Sequence, residues 1–258
     1  MTYDVITRAR RTTRRRVTAF CVASAAVAFA VAAAAVAFAV AAAAVACAGP
    51  KGPAASPLGP VVQVRPESAT DGRAVLPDDL DWADVAGVPV PVSPQSGPRI
   101  TSEGQARGFA DDPGGAVLAA VHIVVRVNPQ VGPAVFDPTL RTQVIGADAA
   151  AMRVQVAQAY DELRGQAGVA DGQPVGRLNA TLLGYRILSY TDDEVVLRLL
   201  TEAADVSGSS LMVSTEVSVR WTGSDWALLA PAGGTFDQAV TVVLDPYTAM
   251  FLPFSAGG

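Results

Sequence analysis

From Val17 to Pro50 the chain carries no charged side chain, a run of 34 residues made chiefly of alanine, valine and phenylalanine. A helix that crosses a bilayer needs about 20 predominantly apolar residues. Alanine is the strongest helix former, and the string VAFAVAAAA occurs twice in succession, at 27–35 and 36–44. The sequence therefore predicts one long transmembrane or signal-anchor helix over 17–48. Alanine is only weakly hydrophobic, so the extra length and Phe20, Phe29 and Phe38 supply the insertion energy.

The flanking charges orient this helix. Arg8, Arg10, Arg11, Arg14, Arg15 and Arg16 all lie in the first sixteen residues, opposed only by Asp4, so that segment carries +5. The remainder has 13 Lys and Arg against 23 Asp and Glu, which is −10. A basic cluster on one side keeps that end in the cytoplasm. Residues 1–16 are then a basic cytoplasmic tail, and everything after the helix lies outside in a single-pass arrangement. The overall charge of −5 argues against direct binding of nucleic acid.

Three fates of the apolar segment are compatible with the residues. An uncleaved anchor fits its length, because a secretory apolar region usually spans about 7–15 residues. Ala44-Val45-Ala46 and Ala46-Cys47-Ala48 resemble small-residue cleavage sites. Ala44-Val45-Ala46-Cys47 also looks like a degenerate lipobox, which makes Cys47 a candidate lipidation site. The two cysteines, Cys21 and Cys47, both fall in this region. The outer domain has none, so its stability must come from a packed core and not from disulfides.

Ten of the eighteen prolines lie between residues 49 and 98. Proline at this density opposes helix and most sheet pairing, and 49–79 reads as a flexible Pro/Gly-rich linker. The stretch Leu80–Val92 adds a tryptophan and several valines and is expected to pack on the domain C-terminal to it. Asp78, Asp79, Asp81 and Asp84 miss the calcium-loop spacing and read as a solvated acidic turn.

An extracytoplasmic domain is expected over 80–245, with a C-terminal tail at 246–258. Asp112-Pro113 is a helix start, followed by the apolar run Ala116–Val127 and the stop Asn128-Pro129. Asp137-Pro138 repeats the start signal for a short helix ending near Gly146. A third helix runs from Asp148 to about Arg164, with Met152, Val156, Ala159, Tyr160 and Leu163 on one face. The period then changes to that of strands: Arg177–Tyr190, Glu194–Ala203 and Ser210–Trp221. In the last of these Leu211, Val213, Thr215, Val217, Val219 and Trp221 alternate with polar residues. Thr222-Gly223-Ser224-Asp225 turns the chain into Trp226–Ala230, and Gln238–Leu244 can add another strand. Helices first and antiparallel strands after predict an α+β fold, with two or three helices on a curved antiparallel sheet.

Chemistry-bearing motifs are scarce. The chain has one histidine, His122, inside the apolar helix, where it reads as a core or interface residue. A nucleophilic triad lacks its parts, and a zinc site needs about four nitrogen or sulfur ligands. No catalytic, cofactor-binding or metal-binding residue is expected. Trp82 and Trp226 are candidates for an interaction surface, and Trp221 for a buried anchor between sheet and helix.

Several segments together resemble an uncharacterised domain family of membrane-tethered proteins encoded on actinobacterial integrative and conjugative elements. They are Trp82 with GVPVPVS at 87–93, Gly108-Phe109-Ala110, Pro113 with Gly115–Ala120, Asn128–Pro133, Phe136–Thr139, Gly172-Gln173-Pro174 and Trp221–Trp226. Asp111 stands where that family usually has a histidine. The resemblance implies no activity and no catalytic residue. A looser similarity of architecture is to the scaffold subunits of type IV secretion systems, which have a fold similar to nuclear transport factor 2. Together they imply a non-enzymatic accessory of conjugative DNA transfer whose partners are the membrane, protein components of the transfer apparatus and a second copy of itself. A ligand-binding extracytoplasmic module, lipidated or not, is the alternative.

Overall fold

Two tight hairpins precede the helices. The computed structural model describes residues 76–77, 80–204, 210–244 and 247–254. The expected membrane segment, Cys47 and most of the linker lie outside them. Among the described residues no helix is long and apolar enough to cross a membrane.

Strands β1 (Asp81–Val85) and β2 (Val88–Val92) pair antiparallel around Ala86 and Gly87. Both turn residues have positive φ, 53° and 96°, as a type I′ hairpin requires. Proline density argued against pairing here, and the spacing explains why it occurs. Pro89 and Pro91 are two residues apart, so both missing N–H groups fall on the edge of β2 that faces away from β1. Strands β3 (Ile100–Ser102) and β4 (Gln105–Arg107) form a second hairpin around Glu103 and Gly104, φ 52° and 75°.

Helix α1 (Pro113–Arg126) begins at the expected cap, where Asp112 Oδ1 accepts the N–H of Gly115 at 2.7 Å. Every residue from Gly114 to Arg126 is buried, because the helix packs against β2, β4, α2 and three strands of the main sheet. Helix α2 (Pro133–Thr142) differs from expectation. It starts four residues before Asp137, with Pro133 in its first turn and Pro138 inside it. Gly132, at φ 85°, lets the chain turn out of the short 3₁₀ segment Pro129–Val131 directly into this helix. Asp137 is therefore mid-helix, paired with Arg141 at 2.9 Å.

A short strand, β5 (Val144–Ile145), leads to α3 (Ala149–Ala167), which buries Met152, Val156 and Tyr160. Gly168, left-handed at φ 68°, ends it. Gly165 continues the helix and does not end it.

The main sheet contains β6 (Ala180–Tyr190), β7 (Glu194–Ala204), β8 (Ser210–Trp221), β9 (Trp226–Leu229), β10 (Val240–Val242) and β11 (Leu252–Pro253). The order is β11-β6-β7-β8-β9-β5, and β10 pairs with β8 beside β9. All pairs are antiparallel except β5 with β9. Two register shifts against β7, at Leu182/Gly184 and Ile187/Ser189, bulge β6, and bulges bend and twist a strand. Val195, Leu197, Leu199, Val217, Val219 and Leu228 form the inward face, where α1 rests. The class is α+β.

Candidate functional site: a cleft with a buried arginine

His122 and Arg126 are one turn apart on α1 and so share a face. His122 is fully buried. Its Nε2 lies 2.8 Å from the Pro91 carbonyl, and its Nδ1 lies 2.8 Å from Arg126 Nη1. A carbonyl only accepts and a guanidinium only donates. The proton is therefore on Nε2, which donates to Pro91, while Nδ1 accepts from Arg126. The imidazole is neutral in one tautomer, and burial first, then the charge of Arg126, push its pKa down to about 3, against the opposing effect of the Pro91 bond.

This bond follows from the proline spacing in β2. The outward edge that loses two N–H groups keeps its carbonyls, and the carbonyl of Pro91 is the one His122 meets.

Arg126 is 6% exposed. Its Nη1 also donates to the His122 carbonyl, at 3.3 Å. None of the ion pairs among the described residues involves it. Burying a cation without an anion is costly, and burial lowers its pKa to about 10. The negative end of the α1 dipole offsets part of that cost. Nε and Nη2 make no hydrogen bond to the described residues, nor are they sealed in the core as unpartnered atoms.

Arg126 lines a cleft of about 420 Å³ bordered by the two hairpin turns and α2. Val85, Ala86 and Val135 supply its apolar wall, and Asp84, Thr101, Ser102 and Glu103 its polar one, with Asp84 paired to Arg177 at 3.4 Å. The second turn is held against α2. Gln105 Nε2 donates to the Pro138 carbonyl at 2.8 Å and to Thr142 Oγ1, and a Cβ at Gly104 would overlap the Ala134 carbonyl. Such a site can hold an anion: it presents a positioned guanidinium at the floor of an open cleft whose rim residues Thr101, Ser102 and Glu103 are exposed.

The residues singled out from sequence fall elsewhere. Trp82 lies on β1 and is 46% exposed. Trp226 is 1% exposed and donates its indole N–H to the Ala110 carbonyl at 2.8 Å, so it offers no surface. The turn places it directly opposite Trp221 on the inward face, where the two rings meet edge-on with centroids 5.5 Å apart. Trp221, expected as the anchor, is the half-buried outer member of the pair. Cys47 lies outside the described residues. Arg126 was missed, and its signal was a lone cation four residues after the lone histidine in an apolar helix. No group of three or more potential metal ligands occurs among the described residues.

No curated protein and no solved structure matches the chain. Residues 39–249, most of the chain, match a protein family described as a domain of unknown function, DUF8175. The chain belongs to the DUF8175 family.

Proposed function

We propose that this protein is a membrane-anchored extracytoplasmic accessory, acting by contact and not by catalysis, within an apparatus for conjugative DNA transfer. The observation that carries the non-enzymatic part is the state of His122. The chain's single histidine donates through one ring nitrogen and accepts through the other, both inside the core. It has no lone pair or proton left for a substrate. The anchoring part rests on the uncharged segment 17–50 and its arginine flank. The conjugative setting rests on the family resemblance, and the likeness to secretion scaffolds is an analogy of architecture.

Surface character supports contact as the mode of action. Trp82, Ile100, Val242, Leu244, Tyr247 and Met250 are large apolar residues left exposed, and exposed aromatic and aliphatic groups concentrate at interfaces.

The test is deletion of the gene in a donor strain that carries the intact element, with complementation by the full chain. Transfer frequency should fall on deletion and recover on complementation, and membrane purification of the tagged chain should bring transfer-channel proteins with it. Unchanged transfer in the deletion strain would remove the accessory reading. A reporter fused after Gly49 should be active only outside the cytoplasmic membrane; activity only inside would remove the anchor topology.

A further inference from the structure

We infer that the cleft at the end of α1 is a binding site for a carboxylate carrying a small aliphatic group, with Arg126 as its anchoring residue. The site is independent of the accessory role, since it rests on the folded domain alone.

Four observations converge. Arg126 is 6% exposed as a residue, borders the cleft and has no acidic partner among the described residues. One of its three nitrogens, Nη1, is occupied twice by His122. The remaining Nε and Nη2 form the side edge of the guanidinium, two parallel N–H donors that fit the two oxygens of one carboxylate. His122 is locked by Pro91 on its far side, so it holds the arginine in place without competing for an anion.

The walls set the rest of the ligand. Val85, Ala86 and Val135 line the recess and accept a short aliphatic group. Thr101 and Ser102 can hydrogen-bond polar atoms beside it. Glu103 and Asp84, the latter paired with Arg177, stand on the same rim, and their carboxylates disfavour a dianion such as phosphate more than a monoanion. The volume of about 420 Å³ suits a small molecule or the last residues of a peptide, within the usual range of ligand pockets. A free organic acid and the C-terminus of a peptide present the same carboxylate chemistry.

The experiment is titration calorimetry on the purified full chain in detergent, with isovalerate, N-acetyl-alanyl-alanine and inorganic phosphate as probes. A saturable heat with at least one carboxylate probe, and none with phosphate, is expected. Tighter binding of the capped dipeptide than of isovalerate marks a peptide end as the source, and the reverse order marks a free acid. Arg126→Lys keeps the charge and loses the fork, so affinity should drop about tenfold or more. Val135→Phe fills the recess without touching the arginine and should abolish binding in a chain whose thermal midpoint stays close to that of the wild type. Should Arg126→Lys fail to fold, Val135→Phe decides alone. No heat with either carboxylate at millimolar concentration would overturn the proposal. So would binding that both variants leave unchanged, or binding of phosphate in preference to the carboxylates.

Discussion

Trp226 donates its indole N–H to the carbonyl of Ala110, 2.8 Å away in space and 116 residues away in sequence. The bond joins the first residue of β9 to the segment that leads into α1. The same segment is gripped again by the preceding residue. Asp225 Oδ2 accepts the N–H of Gly108 at 2.7 Å, and Oδ1 accepts that of Phe109 at 3.2 Å. The hairpin turn after β8 thus sets the height at which α1 enters the core.

Truncation of Trp226 should therefore be severe. Replacing a fully buried large aromatic by alanine typically costs about 3–5 kcal/mol, against a usual total of about 5–15 kcal/mol. Trp226→Ala is expected to leave the domain largely unfolded near body temperature. Trp221→Ala, at the half-buried outer ring, should cost clearly less. Urea unfolding followed by tryptophan fluorescence and circular dichroism checks the order, and equal losses would contradict it.

Asp225→Ala should destabilise without removing any apolar packing. It strips the acceptors from Gly108 and Phe109 and from the backbone N–H of Trp226, whose bond is 3.0 Å. A donor left unpaired in a buried setting costs about 1–3 kcal/mol. Asp225→Asn keeps one acceptor oxygen and should fall between alanine and wild type. A thermal melt in which the alanine variant matches the wild type would show these bonds to be without net value.

Part of this architecture was legible in the residues. Asp112-Pro113 marked the start of α1, and strict alternation from Leu211 to Trp221 marked β8, because both signals are local. The same local signal misled at Asp137-Pro138. Gly132 and Pro133, a few residues earlier, open the helix instead, and Pro138 is carried inside it. Which tryptophan would be buried was not legible. Both lie on the inward side, and depth depends on how the hairpin meets the Ala110 segment, a contact across 116 residues. The cleft was hidden for the same reason. Its walls come from two hairpins and two helices, and nothing local in the sequence joins them or marks Arg126 as part of a site.

Gly115 and Gly165 are both helical glycines and should respond in opposite ways to alanine. In an open helix the change gains roughly 0.5–1 kcal/mol. Gly165 has nothing within 4 Å of a would-be Cβ, so Gly165→Ala should raise the melting temperature. A Cβ at Gly115 would overlap the Ala110 carbonyl, the same oxygen that takes the Trp226 N–H. Backbone has little room to give there, and overpacking typically costs about 1–3 kcal/mol. Gly115→Ala should lower the melting temperature; a rise at both sites would mean that the Ala110 segment yields freely.

Acid should destabilise the domain through His122. The folded pKa of this histidine is about 3, below the value of about 6.5 in an unfolded chain. Between these limits the unfolded state binds a proton that the folded state refuses. Stability from this group is therefore fully present above about pH 6.5 and is lost as pH falls toward 3, at up to about 1.4 kcal/mol per pH unit. Protonation would place a second cation against Arg126 and remove the acceptor at Nδ1. His122→Gln can still donate to the Pro91 carbonyl and does not titrate. Its stability should be lower than wild type at neutral pH, yet the gap should narrow as the solution is acidified from about pH 7 to about pH 4.5. Denaturant midpoints measured for both chains across that range decide it. Parallel pH curves for wild type and His122→Gln would show that the histidine is not the group that the folded core holds neutral.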